Sequence, residues 1–318
     1  MFKTSSRAFR TAALAAVYFS ASAALPRTSR AAPNPGVVEI DEPSAYSRVV
    51  AVSDAHGMSV PLRALLKNGK ITDDAGNWSA GATLLIITGD SIDKGPGSAD
   101  VIDLWLALSG QAAASGGRVV HLLGNHEASF LADPEGEGKA QSFRDELKAR
   151  GIPLEEFTEP GRPRADFLRS MPAAARVGKW LFCHSGRPPD KPWDKFKAKA
   201  AEVLSAGNYG AGFFSKDDSI LESADWWETE KGRKEAERRL DSNGLFGVVF
   251  GHRPKAFGAE GRCAASTDRR LVKIDNGMAP ASGGHGGSLL VFPKPEEMAA
   301  GTPASLFSVS SAGAELPL

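Results

Sequence analysis

The stretch TLLIITGDSIDKG, residues 83–95, joins a short apolar run to a polar cluster that begins at a glycine. The run is too short for an ordinary helix and rich in β-branched residues, so it predicts a strand buried on both faces. Asp90 and Asp93 follow this strand directly. A carboxylate in this place is a turn residue, a helix cap or a metal ligand, and the stretch alone leaves all three interpretations open.

The same order of strand and polar cluster recurs on both sides of this stretch. RVVAVSD (48–54) and RVVHLLGN (118–125) predict further strands, and helical spacing at 60–69 and 98–110 separates them. Strands that alternate with helices indicate a largely parallel sheet. The polar clusters then meet at the carboxyl edge of that sheet, where open α/β sheets bind ligands.

The rest of the chain predicts a second sheet. Residues 127–245 show mostly helical patterns, with a strand pair at ARVG and KWLFCH. Four later segments predict strands with no helix between them: 245–252, 270–275, 288–292 and 305–309. We therefore expect an α/β (α+β sandwich) fold, with two facing mixed β-sheets flanked by helices.

Composition and the first residues bear on domain organisation and location. The chain has 318 residues, of which 42% are hydrophobic, enough for a substantial core. Lys3, Arg7 and Arg10 precede an alanine-rich apolar run without acids, which predicts a signal peptide and loose mature terminus at 1–32. A single domain at 33–318 and a periplasmic or secreted protein follow, without stable membrane insertion after cleavage. An amphipathic first helix or a membrane anchor is the alternative interpretation.

Charge and cysteines narrow the possibilities further. Without residues 1–32 the chain keeps 33 basic against 38 acidic residues, a net charge of −5. No basic surface for nucleic acid is therefore expected. Cys183 and Cys263 are either paired in a disulfide or buried as free thiols, and their spacing does not decide between the two.

Four of the six histidines fall in the clusters at predicted strand ends, together with carboxylates and a carboxamide. The combined set is Asp54, His56, Asp90, Asn125, His126, His184 and His252. Such ligands, without thiolate, suit divalent Mn, Fe or Zn. A carboxylate among nitrogen ligands can bridge two ions about 3.5–4 Å apart, as in hydrolases that act at phosphorus. The pattern thus predicts two divalent metal ions as cofactors.

The ordered motifs SDAHG, GDSIDKG, GNHE, CHSG and FGHRP resemble the signature of calcineurin-like metallophosphoesterases. GDSIDKG and GNHE look like the branch that contains the serine/threonine phosphoprotein phosphatases. IDNGMAPASGG (274–284) is similar to the C-terminal segment of bacterial Shewanella-like phosphatases. The resemblance covers roughly residues 48–292 and implies a four-layer sandwich, with a helical, aromatic-rich insertion at about 186–244.

The resemblance also implies a role for each matching residue. Asp54 and His56 would hold the first metal, and Asp90 would bridge to the second. Asn125, His184 and His252 would complete the second site. A hydroxide between the ions would attack phosphorus in line, while His126 protonates the leaving alkoxide and Asp93 orients His126.

The motifs that bind the phosphate depart from the family pattern. Lys94 stands where phosphoprotein phosphatases usually have arginine, and lysine lacks the two-pronged guanidinium geometry. In ADWWETE (224–230), Glu228 and Thr229 occupy the place of a second arginine. Arg253 or Arg233 is the candidate substitute. We therefore expect an intact metal centre and an altered phosphate clamp.

Three features keep two interpretations each. The aromatic residues of the insertion form either a cap over the substrate or a small core of their own. His121, in the middle of a strand, is interpreted as a core histidine rather than a ligand. For His285, in SGGHGG, a functional role and an incidental one are equally open.

The function predicted is that of a metallophosphoesterase that hydrolyses phosphate monoesters, with a phosphorylated protein or a small phosphomonoester as substrate. A phosphodiesterase or nucleotide hydrolase with the same fold is the first alternative. The second is a catalytically impaired protein that binds metal or phosphate, which the altered clamp would explain.

Overall fold

The computed structural model describes residues 34–302 and 304–318, so the signal peptide predicted at 1–32 lies outside the described residues. The strands are β1 Val37–Ile40, β2 Arg48–Val52, β3 Thr83–Ile87, β4 Arg118–His121, β5 Ala174–Val177, β6 Trp180–Cys183, β7 Gly247–Phe250, β8 Ala264–Ala265, β9 Leu271–Lys273, β10 Ser288–Phe292, β11 Phe307–Ser310 and β12 Glu315–Pro317. The helices are α1 Ser59–Asn68, α2 Ser98–Ala114, α3 Asn125–Ala132, α4 Gln141–Ala149, α5 Glu155–Thr158, α6 Pro163–Arg169, α7 Trp193–Ser205, α8 Gly212–Ser215, α9 Glu230–Ser242 and α10 Pro295–Ala300. Within these described ranges, no helix has both the length and the hydropathy needed to cross a bilayer.

The strands form two mixed sheets. The first has the order β12-β11-β10-β2-β3-β4, and the second has the order β1-β5-β6-β7-β9-β8. In the first sheet β2, β3 and β4 are parallel neighbours, and in the second β6, β7 and β9 are. Parallel neighbours end at the same edge, so each sheet presents three carboxyl ends together.

Alternating side chains place the core in layers. Val49 and Ala51 of β2 are fully buried between the two sheets, whereas Val50 packs on the outer face beneath α1 and α2. In β3, Leu84 likewise lies between the two sheets, and Leu85 lies on the outer face. A strand buried on both faces explains the continuous apolar run in the sequence. The predicted fold class, two facing mixed sheets with flanking helices, is confirmed.

Three details of the prediction were wrong. The strand Val37–Ile40 was not predicted, and it pairs in parallel with β5. The C-terminal strands do not all belong to the second sheet, because β10 pairs antiparallel with β2. A short helix, Pro295–Ala300, also separates β10 from β11, where no helix was expected.

The cysteines and the aromatic residues of segment 186–244 lie in the interior. Cys183 and Cys263 are free and buried, so the free-thiol interpretation holds in this structure. Trp226 and Trp227 are mostly buried, and their rings lie 5.3 and 5.7 Å from that of Phe250. These rings pack on the second sheet, which favours a core role over a cap.

Candidate metal centre

Both sheets contribute side chains to one cluster at their carboxyl edges. Asp54 follows β2, Asp90 follows β3 and Asn125 begins α3 after β4. His184 and His252 follow β6 and β7 of the second sheet. The residues predicted as metal ligands are buried or, for His252, half-buried. The structure therefore brings together residues that are up to 198 positions apart, as in the hydrogen bond from the backbone N–H of His252 to the Asp54 carboxylate.

The backbone around the cluster is conformationally costly. Several site residues have φ between 43° and 69° without being glycine: Asp54, His56, Asp90, Asp93, Lys94 and His252. A left-handed conformation costs a residue with a Cβ roughly 1–2 kcal/mol, and such strain gathers at functional sites. Neighbouring glycines allow close approach, since a Cβ on Gly251 would lie 2.1 Å from Oδ2 of Asp54.

The first group of candidate metal ligands surrounds Nε2 of His184. This atom lies 3.1 Å from Oδ1 of Asn125, 3.1 Å from Nδ1 of His252 and 3.3 Å from Oδ2 of Asp90. Each of the four atoms offers a lone pair once its histidine nitrogen is deprotonated, and the carboxylate and carboxamide oxygens bring no proton. Imidazole, carboxylate and amide oxygen are ligand types that suit a divalent ion, so this donor set fits a metal.

A second group shares Asp90 with the first. Nε2 of His56 lies 3.5 Å from Oδ2 of Asp90 and 3.8 Å from Oδ1 of Asp54. His126 meets the same spacing, with Nε2 3.8 Å from Oδ2 of Asp90. Two histidine-carboxylate groups, His56–Asp90–His126 and Asp90–His184–His252, thus have ligand atoms close enough for one ion each. Distance alone does not separate His126 from Asp54 as a ligand.

The cluster contains several buried carboxylates that lie close together, an arrangement that a bound cation would stabilise. Burial and the neighbouring Asp275 carboxylate raise the pKa of Asp54 well above its usual range. Burial also raises the pKa of Asp275 itself. Burial opposes ionisation of Asp90 as well, but His184 and His126 outweigh it and hold its pKa well below the usual range. Crowded buried carboxylates are stabilised by a metal ion, which supplies the positive charge they lack.

His126 and Asp93 form the hydrogen-bonded pair that the sequence predicted. Nδ1 of His126 lies 2.9 Å from Oδ2 of Asp93 and 2.7 Å from the carbonyl oxygen of Lys139. Both partners are acceptors, so Nδ1 carries a proton and Nε2 faces the cluster. Burial opposes ionisation of Asp93, yet hydrogen bonds from His126 and Ser142 keep its pKa below the ordinary value.

The three predicted substrate-binding cations lie in different surroundings. Nζ of Lys94 is 2.7 Å from Nε2 of His56, at the edge of the cluster. Arg253 lies near His252, where burial, His184 and then Arg253 lower the histidine pKa to about 2. The guanidinium of Arg233 instead donates to the carbonyl oxygen of Trp227 at 2.6 Å. The structure thus places Lys94 at the cluster, while exposed Arg253 follows His252 in the chain and Arg233 of α9 is bound to the segment before that helix.

The two remaining histidines have separate environments. His121 is buried, with Nε2 2.7 Å from the Ser91 hydroxyl and Nδ1 3.1 Å from the carbonyl oxygen of Leu122. It is a satisfied core histidine, in agreement with the interpretation of the sequence. His285 is half-buried next to Gly261, and in residues 34–302 and 304–318 no hydrogen-bond partner reaches its Nε2.

Sequence reasoning missed residues that support the ligands. The Glu127 carboxylate accepts backbone N–H groups of Asp90 at 2.9 Å, Ser91 at 2.7 Å and Gly124 at 3.0 Å. As the third residue of α3, Glu127 caps the N–H of Gly124 at the start of the helix, which is the glutamate half of a capping box, because Gly124 has no side chain to supply the other half. Asp275 follows β9 as the other site carboxylates follow their strands. The strand-end rule, by which polar residues directly after a strand are candidates for the site, would therefore also have found it.

Known proteins match this chain in sequence and in fold. The model of the calcineurin-like phosphoesterase family matches residues 47–276. "Shewanella-like protein phosphatase 1" of Plasmodium berghei is 29% identical over 146 residues, which are 44% of this chain and 39% of that protein. The symmetrical bis(5'-nucleosyl)-tetraphosphatase of Salmonella paratyphi C is 30% identical over 165 residues, covering 50% and 51% of the two chains. The chain thus spans about half or less of the length of these relatives.

A solved structure shares the fold. The cold-active protein-tyrosine phosphatase of a psychrophilic Shewanella species superposes with a TM-score of 0.69 at 21% identity. The superposition covers 92% of this chain and 86% of the Shewanella chain. At this identity, the likeness concerns the arrangement of sheets and helices.

Proposed function

Because this chain belongs to the calcineurin-like phosphoesterase family, we propose that it is a phosphatase that hydrolyses phosphate monoesters with two divalent metal ions. Its substrate is a phosphorylated protein or a similar small phosphomonoester, and its location is periplasmic or secreted. One observation carries the proposal: Asp90 belongs to both candidate ligand groups, as a bridging carboxylate must.

The proposed ligands divide between the two ions. Asp54 and His56 would hold the first, Asp90 would contribute to both, and Asn125, His184 and His252 would hold the second. When bound, the ions activate water and neutralise charge at phosphorus. Mn, Fe and Zn all suit these ligand types.

The protein itself supplies the acid and the cations. Asp93 accepts a hydrogen bond from the Nδ1–H of His126 and so orients the ring. A proton on Nε2 can then pass to the leaving oxygen. Lys94, whose ammonium group lies at the cluster, and Arg253, which follows His252 in the chain, would offset the negative charge of the bound phosphoryl group. The Arg233 guanidinium donates instead to the backbone carbonyl of Trp227, which favours Lys94 and Arg253 over Arg233 for this role.

The test uses the purified full chain with p-nitrophenyl phosphate and Mn(II). We expect chelator-sensitive turnover that falls by roughly 10³-fold or more in Asp90→Asn and by about 10²–10⁴-fold in His126→Ala. Turnover that survives both substitutions would overturn the mechanism. N-terminal sequencing of the protein from a periplasmic fraction tests the predicted export, which an intact Met1 would contradict.

The similarity to the Salmonella tetraphosphatase supports a second candidate, a hydrolase of phosphodiesters or dinucleotides. The turnover of bis-p-nitrophenyl phosphate relative to the monoester separates the two candidates. A ratio above one favours the second. Full metal occupancy without hydrolysis of either ester would instead support the impaired metal- or phosphate-binding protein.

A further inference from the structure

The side-chain amide of Asn125 has different partners at its two ends. Oδ1 lies 3.1 Å from Nε2 of His184, inside the candidate ligand group. Nδ2 donates a hydrogen bond to Oε2 of Glu222 at 3.0 Å. An ionised carboxylate only accepts hydrogen bonds, so it pairs favourably with the NH₂ end alone. Glu222 therefore selects the amide orientation in which the carbonyl oxygen faces the metal ligands.

Lys139 provides the counter-charge of this carboxylate. Its ammonium group pairs with Oε1 of Glu222, the oxygen that Asn125 does not use. The backbone carbonyl of the same lysine lies 2.7 Å from Nδ1 of His126. The Glu222 side chain is only 19% exposed, so the pair is partly shielded from water. A single contact chain thus joins segment 186–244, a candidate metal ligand and the proposed acid.

The backbone that carries Glu222 is fixed next to the cluster. The hydroxyl of buried Ser219 accepts the Glu222 N–H at 3.1 Å. Ser185, adjacent to His184, donates its hydroxyl to the carbonyl oxygen of Ser219 at 3.0 Å. The backbone N–H of Ser185 donates to the carbonyl oxygen of Ile220 at 2.9 Å. The indole of Trp226 donates to the Ser185 carbonyl at 3.0 Å.

We propose that Glu222 is a positioning residue of the metal centre, which fixes the Asn125 amide with its oxygen toward the second ion, with Lys139 as its counter-charge. The proposal rests on the metal-dependent function proposed above. Partners of this kind, which orient a ligand without touching the metal, typically change metal affinity 10–100-fold when they are removed.

The test is a calorimetric titration of the metal-free full chain with Mn(II), which does not depend on turnover. We expect Glu222→Ala to weaken one of the two Mn(II) sites by about 10–100-fold and to leave the other within about twofold. Glu222→Gln keeps one acceptor oxygen, so its loss should be smaller than that of the alanine variant. Glu228→Ala, an exposed glutamate on the same segment, removes the same charge and should titrate like the wild type.

Kinetics with p-nitrophenyl phosphate complete the test. At saturating Mn(II) the positioning role predicts that Glu222→Ala recovers most of its kcat, with KM within about twofold. Unchanged Mn(II) affinity in Glu222→Ala would overturn the proposal. A lower KM in that case would show that Glu222 competes with phosphate instead of positioning Asn125. If Glu222→Ala does not fold, the Gln variant decides by the same criteria. Absence of turnover in the wild type would contradict the proposed function while the Mn(II) titration still tests Glu222.

Discussion

Oδ2 of Asp90 and Nε2 of His184 are 3.3 Å apart, although the two residues follow strands of different sheets. Asp90 extends from β3 in the first sheet and His184 from β6 in the second. The candidate metal centre therefore depends on the packing of the two sheets as well as on the local turns. Any change that shifts one sheet against the other should weaken metal binding before it unfolds the protein.

His126→Ala should retain both metal ions, and it should lose more activity the more basic the leaving group is. A general acid matters most when the leaving alkoxide is strongly basic. We expect the loss to be about 10-fold or more greater for phenyl phosphate than for p-nitrophenyl phosphate, measured as kcat at saturating Mn(II). Loss of one equivalent of bound Mn(II) would instead make His126 a ligand, as its 3.8 Å distance from Asp90 also permits.

Lys94→Ala should raise KM for phosphate monoesters by about 10-fold or more and leave the metal content unchanged. The ammonium group of Lys94 lies at the metal cluster, where a point charge can meet phosphate oxygens. Lys67→Ala is a suitable control, because this lysine is exposed, lies outside the site motifs and pairs with Asp74. Metal loss in Lys94→Ala, measured by elemental analysis, would show that the lysine supports the ligand His56 instead.

Glu127→Gln should destabilise the fold by about 1–3 kcal/mol, because its carboxylate accepts several backbone N–H groups. An amide presents one oxygen and turns its own N–H groups toward the remaining donors. Urea unfolding should show a lower midpoint with an unchanged m-value. The exposed residue Glu137 gives the matched control, Glu137→Gln, and equal midpoints for the two variants would refute this role.

The pH dependence of stability should include a contribution from His121. Burial lowers the pKa of His121 to about 3, against an ordinary value of 6.5. The unfolded chain therefore binds a proton as the pH falls below about 6.5 while the folded chain does not, so stability decreases toward pH 3. The slope of unfolding free energy against pH is proportional to the number of protons taken up on unfolding. Between pH 6.5 and 4.5, His121→Gln should reduce this number by up to about one. An unchanged slope would mean that His121 is protonated in the folded state.

The sequence predicted the fold where local pattern and layer position agree. The run TLLII is buried on both faces of its sheet, and its apolar continuity indicates just that. β1 was missed because a strand of four residues carries little periodicity. The partner strand of β10 was also beyond reach, since pairing between distant segments leaves no trace in either segment alone.

At the site, the strand-end rule found the residues that the structure brings together, but not those that hold them. Glu222 is not at a strand end, and it reaches Asn125 only because Ser219 and Ser185 fix its loop. Lys139 likewise lies in the connection between α3 and α4. Such contacts arise from tertiary packing. The ligand roles inferred from the resemblance remain predictions.

The central claim, a dinuclear centre bridged by Asp90, is tested most directly by counting bound metal. Elemental analysis of the purified full chain, saturated with Mn(II) and freed of excess, should give about two ions per wild-type chain. Asp90→Asn should retain at most about one, because a single carboxylate serves both sites. One ion in the wild type, or two in Asp90→Asn, would contradict the account.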